Sequence, residues 1–76
     1  MLAILRATRS SAAHLATAQR HAGAAARLRR DAALSRMRAG KLETPESAAL
    51  AREASRLEGL ARRAMARHES ARALLD

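Results

Sequence analysis

The chain has 76 residues, carries a formal net charge of +8, and contains neither cysteine nor aromatic residues. This length allows at most one domain, and the lack of cysteine excludes disulfides and thiolate-bound metals. Twenty-two of its hydrophobic residues are alanine, which leaves eleven leucines, one isoleucine and three methionines for a core. We therefore expect a single small helical unit over 1–76 that needs partner subunits or a second copy for stability.

Charge divides the chain into a basic part and a charge-balanced part. Residues 1–42 hold eight arginines and one lysine against a single acid, Asp31, whereas residues 43–76 hold six arginines and six acids. The abundance of alanine and arginine is typical of a GC-rich genome, which accounts for part of the basicity. The asymmetry predicts that the first part contacts something anionic and that the second part packs against protein.

The sequence begins with MLAILRATRSS, which is rich in arginine and serine, contains no acid and favours a helix. In these respects it resembles a mitochondrial targeting segment, and the resemblance implies a mitochondrial location. The alternative is a cytoplasmic protein of a high-GC bacterium. No transmembrane span is predicted, because the longest stretch without a charged residue, 10–19, is far shorter than the roughly 20 apolar residues that such a helix needs.

One break interrupts an otherwise helical sequence, near its middle. Gly40 fits the left-handed backbone position that closes a helix. Thr44 is a preferred N-cap, and Pro45 is a preferred first residue of a helix. We predict an all-α fold of two helices, at about 2–39 and 45–75, that form an antiparallel hairpin.

The second helix carries an apolar stripe with alternating spacings of four and three residues, which is typical of coiled-coil packing. Within it we assign a packing seam toward a partner, formed by Leu50, Leu57, Leu60 and Met65. The opposite face is charged, and three pairs one turn apart should form salt bridges. These pairs are Glu58–Arg62, Glu53–Arg56 and Glu69–Arg72. The full stripe comprises Leu50, Ala54, Leu57, Ala61, Ala64, His68, Ala71 and Leu75, widened by Leu60 and Met65.

The first helix has a less regular apolar face. Its apolar residues favour one side at a period of 3.6 residues, with Leu5 and Leu34 beside it, and Leu2 and Leu28 lie off that side. Either these two leucines cover a second partner surface or the helix is interrupted near Gly23. When the hairpin is traced backwards from the turn, Gly23 and Gly59 come near each other, and His68 lies opposite residue 17. The two glycines would then let the helices approach closely at mid-length. The predicted face comprises Ile4, Leu15, Ala22, Ala26, Ala33 and Met37.

The three histidines are the candidates for chemistry. His14 and His21 project from one side of the first helix, and the predicted register brings His68 between them. Three imidazoles could bind a metal or respond to pH, but no carboxylate completes the site, so no metal is predicted. The sequence shows no paired carboxylates, glycine-rich phosphate loop or nucleophile with a base, and we expect neither catalysis nor a cofactor.

The densest basic stretch lies in the second half of the first helix and spreads around it. Such a spread suits acidic protein surface, lipid headgroups or RNA better than one groove of duplex DNA. Base stacking is excluded because the chain has no aromatic side chains. The first helix would bind an anionic membrane surface weakly, since its apolar side is mostly alanine. The residues predicted to contact an anionic surface are Arg27, Arg29, Arg30, Arg36 and Arg38.

These features favour a non-catalytic structural or accessory subunit that docks with other protein subunits in a larger assembly. The targeting-like start favours a mitochondrial complex, either respiratory or ribosomal. The alternative is a small basic nucleic-acid-binding protein whose N-terminal half contacts phosphates, and a bundle of two hairpins is a third hypothesis. Salt separates the first two, because phosphate contacts weaken steeply with ionic strength and an apolar seam does not.

Overall fold

The structure, a computed structural model, describes residues 2–40 and 42–74, with their side chains except at 2–4 and 7. Helix α1 spans Leu2–Arg38 and helix α2 spans Pro45–Ala73. They pack side by side in opposite directions and form a rod of 59 × 14 × 13 Å. The predicted all-α hairpin is therefore confirmed. Leu75, the last residue of the predicted stripe, lies outside the described residues. Neither described helix is long and apolar enough to cross a membrane.

The turn is fixed by the backbone of Gly40 and by the cap of α2. Gly40 has a φ of +75°, the left-handed conformation that glycine adopts without strain, and its N–H donates to the Met37 carbonyl at 3.2 Å. The Thr44 hydroxyl accepts from the Ser47 N–H at 3.0 Å, and the Ser47 hydroxyl accepts from the Thr44 N–H at 2.9 Å. Pro45 begins α2. These local signals confirm the predicted break.

Small side chains form the contact between the two helices. A repeat of seven residues keeps one stripe of a helix against its partner when the pair twists into a left-handed supercoil. Leu50, Leu57 and Leu60 are only half-buried, so the predicted packing seam borders the contact rather than filling it. The buried residues, which we call the alanine interface, are Ser11, Ala18, Ala25 and Ala32 in α1 and Ser47, Ala54, Ala64 and Ala71 in α2.

The predicted register is wrong. The imidazole Nδ1 of His68 lies 2.8 Å from Oγ of Ser11, rather than opposite residue 17. The length of the turn does not set the register. The pairing of small residues sets it, because it brings the seven-residue repeats of the two helices together. Steps of seven residues from this contact define four layers along the rod, which are Ser11–His68, Ala18–Ala61, Ala25–Ala54 and Ala32–Ser47.

The apolar face predicted for α1 is not the face that packs against α2. Leu28, which the prediction left off the face, is half-buried beside the alanine interface, three residues after Ala25. Helix α1 has two apolar stripes, and α2 packs against the one whose small residues recur every seven positions. The residues of the predicted face differ in burial. Leu15 and Ala33 are half-buried, whereas Ala22, Ala26 and Met37 are exposed. The side chain of Ile4 is not among the described ones.

Neither Gly23 nor Gly59 is required for the packing of the helices. A Cβ atom built on Gly23 would lie 4.0 Å from Arg27 Nη1, and one built on Gly59 would lie 3.8 Å from Arg62 Nη2. Both neighbours are ends of flexible side chains at ordinary van der Waals distance. The close approach predicted at these glycines is therefore wrong, and the alanine interface provides it instead.

Replacing Gly23 or Gly59 by alanine should stabilise the hairpin by about 0.5–1 kcal/mol each, because alanine loses less backbone entropy in a helix. Gly40→Ala is the matched control and should destabilise by about 1 kcal/mol, since a positive φ strains any side chain. Urea unfolding followed by circular dichroism measures all three variants. A hairpin destabilised by Gly23→Ala would contradict the open space found around that residue.

Candidate functional site

The alanine interface leaves the hairpin with two long sides. On one of them, which we call the groove side, Arg29 of α1 binds Glu58 of α2 across the interface. The same side holds a shallow groove of about 280 Å³, because Ala22 precedes Arg29 by seven residues and Met65 follows Glu58 by seven. The groove is lined by Ala18, Gln19, Ala22, Ala61, Arg62 and Met65.

We call the other long side the arginine side. On α1 it carries the residues that come two positions after each buried residue of the alanine interface. They include Arg20, Arg27 and Leu34, which recur at intervals of seven residues. Near the turn this side has a cavity of about 480 Å³, where Arg38 shares the lining with two acids. The whole lining is Asp31, Leu34, Ser35, Arg38, Ala39, Thr44, Glu46 and Leu50.

Arg29, one of the residues predicted to contact an anionic surface, is paired within the hairpin. Its Nε donates to Glu58 Oε2 at 2.8 Å and its Nη2 donates to Ser55 Oγ at 3.2 Å. A second bond from Nη2 to Glu58 Oε1 makes the pair bidentate. This guanidinium therefore ties α1 to α2.

The other four predicted arginines are exposed, but they do not form one surface. Arg36 follows Arg29 by seven residues and belongs to the groove side. Arg38 lines the cavity beside the turn. Arg27 lies on the arginine side, and Arg30 lies one turn further along the outer face of α1. The predicted cluster is thus divided among three parts of the surface.

The predicted packing seam is divided in the same way. Leu50 lines the cavity at the turn, whereas Met65 lines the groove on the other side. Leu57 is half-buried at the edge of the alanine interface, and Leu60 lies one position before an interface layer, on the arginine side. A partner could not cover all four side chains from one direction.

Two carboxylates have lowered pKa values, each because of an arginine. The Arg29 hydrogen bond and charge lower the pKa of Glu58, and the charge of Arg62 adds a smaller effect. The predicted pair of Glu58 with Arg62 is replaced by this bond across the interface. The prediction for Glu53 is confirmed, because Arg56 Nε donates to Glu53 Oε2 at 3.0 Å and lowers the pKa of that carboxyl.

Within the described ranges, these two pairs are the salt bridges, so the predicted bond between Glu69 and Arg72 is not formed. Both side chains are exposed on α2. Exposed pairs of this kind contribute little to stability, and the helix end does not depend on it.

The histidines have separate environments. The Nδ1 of His68 lies 2.8 Å from both the hydroxyl and the carbonyl oxygen of Ser11. In one tautomer the ring donates to the carbonyl, and in the other it accepts from the hydroxyl. His14 and His21 are half-buried on α1. The described side chains include no group of three histidines or acids close enough to hold a metal. His68 is therefore the polar member of an interface layer.

Sequence reasoning missed Ser11 and Arg29 as interface residues. Ser11 could have been found from the interval of seven residues that it shares with three alanines of α1. The role of Arg29 had no local signal, because its partner Glu58 is 29 residues away in the sequence.

Arg29→Gln should raise the pKa of Glu58 toward its ordinary value and leave that of Glu53 unchanged. Because folding lowers the pKa of Glu58, its contribution is present above the unfolded pKa and is lost as pH falls through the folded pKa. The variant should lose this acid-sensitive part of stability. NMR titration of the side-chain carboxyls measures both groups, with Arg62→Gln as the control that shifts Glu58 less. A larger shift in the control would contradict the assigned partner.

Comparison with known proteins supplies no relative from which a function could be transferred. No protein-family model, no curated protein and no solved structure matches the chain. The surface features of the groove side and the arginine side are therefore the basis for inferring what the protein does.

Proposed function

We propose that the protein is a non-catalytic accessory subunit, a helical hairpin that docks in a larger assembly. The observation that carries this proposal is a contrast in burial. Among the described residues the buried side chains are alanines and serines, whereas large apolar side chains remain in solvent. The exposed ones, with their exposed fractions, are Leu5 (54%), Leu34 (42%), Met37 (69%), Leu42 (72%), Met65 (36%) and Leu74 (76%).

This contrast limits what the hairpin gains from its own fold. Burying a complete leucine or methionine side chain contributes about 1.5–3 kcal/mol, whereas a group the size of a methyl contributes about 0.8 kcal/mol. The alanine interface uses mainly the second kind of group. A partner that covers the exposed leucines and methionines would supply the burial that the isolated chain lacks.

The groove side is the part of the surface best suited to a helix of another subunit. Ala22 and Ala26 are exposed there, and their small side chains allow close approach. The half-buried Leu15 and the Met65 side chain border the same region. Leu15, Ala22 and Ala26 are three of the six residues of the apolar face predicted for α1, so the apolar character of this face stays available for an intersubunit contact.

A mitochondrial complex, respiratory or ribosomal, is the assembly that we propose. The support is the targeting-like composition of the first eleven residues. Helix α1 includes this segment from Leu2 onward, and Leu5, Arg6 and Arg9 are exposed on it. A helix that is rich in arginine and serine and contains no acid is typical of such segments.

A second candidate function is binding to nucleic-acid phosphates. The observation in its favour is that Arg27 and Arg30 are exposed and that neither has a carboxylate partner among the described salt bridges. Binding of this kind would weaken steeply with salt. Docking through apolar side chains would not.

Docking on the groove side predicts that Ala22→Glu releases the protein partners of a tagged chain. A carboxylate introduced into an apolar contact costs several kcal/mol when it has no partner, so retention should fall at least tenfold. Ala66→Glu, on the outer face of α2, makes the same change and should retain them. Affinity purification with nuclease and raised salt, followed by mass spectrometry, measures retention.

Equal retention by the two variants would remove the groove side as the docking surface. Partners that disappear with nuclease treatment alone would favour the second candidate function over the first.

A fluorescent fusion to the C-terminus of the full chain should accumulate in mitochondria. Arg6→Glu combined with Arg9→Glu should move most of it to the cytosol, because the segment loses its positive charge. Arg36→Glu with Arg38→Glu changes the same net charge outside the segment and should leave the location unchanged. Microscopy and cell fractionation measure the location of each fusion. A wild-type fusion found in the cytosol would contradict the proposed mitochondrial location.

A further inference from the structure

Both helices contribute charge to the arginine side. Arg20 and Arg27 of α1 each follow a residue of the alanine interface by two positions, and Arg63 of α2 follows an interface layer by two positions as well. Arg67 lies three seven-residue intervals after Glu46, which lines the cavity on this side. All four arginines are exposed. The supercoiled repeat therefore gathers them along one side of the rod.

The register places two arginines of α2 beside an uncharged part of α1. The layer formed by Ser11 and His68 fixes the levels along the rod. Counted from that layer, Arg67 is level with residue 12 and Arg63 with residue 16. Residues 10–19 of α1 carry no charge. Folding thus fills the longest uncharged interval of α1 with positive charge from α2.

Measured along the rod axis, the arginines then follow one another at intervals of three or four residues, roughly 4.5–6 Å each, on two helices whose axes lie about 8–10 Å apart. The whole row is about 22 Å long. This spacing is of the same order as that of phosphates, since one strand of a duplex carries a charge per about 3.4 Å of helix axis. In order along the rod the row contains Arg67, Arg63, Arg20, Arg56 and Arg27, while Arg9 and Arg30 flank it on the outer face of α1.

Most arginines of this row form no salt bridge among the described residues. Of its members, Arg56 alone belongs to a salt bridge among the described residues, with Glu53. Arg20 donates to the Thr17 hydroxyl at 3.1 Å, which leaves its charge unneutralised. An exposed guanidinium presents several N–H donors in a plane and suits bidentate binding to a phosphate.

We propose that this row, contributed by both helices, binds the phosphate backbone of a nucleic acid. The inference rests on the second proposed function, binding to phosphates, and assigns that function a different contact surface. Arg63 and Arg67 belong to this surface, whereas Arg29 and Arg36 on the groove side do not. Phosphate contacts position a protein without reading sequence. Binding through the row is therefore independent of base sequence, and the chain has no aromatic residue to stack on unpaired bases.

An anionic membrane is the less favoured partner. Membrane-surface helices insert an apolar face and keep their basic residues at the water boundary. Here the apolar groove and the row of arginines lie on different sides of the hairpin, so contact through the row would leave Ala22 and Met65 of the groove uncovered.

The test compares two double variants of the full-length chain. Arg63→Gln with Arg67→Gln removes two charges from the row, and Arg62→Gln with Arg72→Gln removes two from the groove side of the same helix. Circular dichroism confirms that both fold. Fluorescence anisotropy then measures binding to labelled 20-base-pair RNA and DNA duplexes between 50 and 200 mM KCl, and to phosphatidylserine vesicles.

The expected result is salt-dependent binding to duplex by the wild-type chain. The first double variant should bind about tenfold or more weakly at 100 mM salt, with a salt slope smaller by about 2, and the second should bind nearly as the wild type. Equal weakening by both variants would overturn the assigned surface while leaving phosphate binding in place. Absence of duplex binding, or binding to vesicles alone, would overturn the phosphate function itself.

Discussion

Two helices can approach closely over many turns only if a small residue returns to the contact at regular intervals on both of them. In α1 the buried small residues recur every seven positions, and in α2 they form two pairs seven residues apart, Ser47 with Ala54 and Ala64 with Ala71. Larger side chains would push the helix axes apart, so the leucines are displaced to the edges of the contact. The rotation of each helix follows from this constraint, and so does the side of the rod on which every charged residue lies.

The distribution of charge in the folded hairpin differs from its distribution along the sequence, because the rotation of each helix decides where its charged residues lie. Along the sequence the excess charge belongs to the first 42 residues. In three dimensions the local charge depends on which acids each arginine meets. Glu58 neutralises Arg29 across the interface and Glu53 neutralises Arg56 on its own helix. Arg63 and Arg67 have no such partner among the described salt bridges, so their charge adds to that of the arginine side.

The parts of the fold that depend on neighbouring residues could be predicted from the sequence. Gly40, Thr44 and Pro45 act within one turn of the chain, and each adopted its expected role. The contact face of α1 could not be predicted in the same way. Hydrophobicity favours the stripe with larger side chains, such as Leu15, whereas close helix packing favours Ala18 and its repeats.

The candidate surfaces were predictable only in part, for a related reason. A pair one turn apart, such as Glu53 with Arg56, can be read from spacing alone. The partner of Arg29 depends on the register of two helices, and register is a property of the whole interface. The predicted arginine cluster was contiguous in sequence, but successive positions on a helix point in different directions.

The layer of Ser11 and His68 has a role that alanine cannot have. Successive alanine layers are nearly equivalent, so sliding one helix past the other by seven residues would exchange one good contact for another. Such a slip would set the imidazole against an alanine and leave its nitrogen without the partner 2.8 Å away. At the opposite end, the Ser35 hydroxyl lies 3.2 Å from that of Thr44. Polar contacts at both ends thus select one alignment among several that the alanines alone would accept.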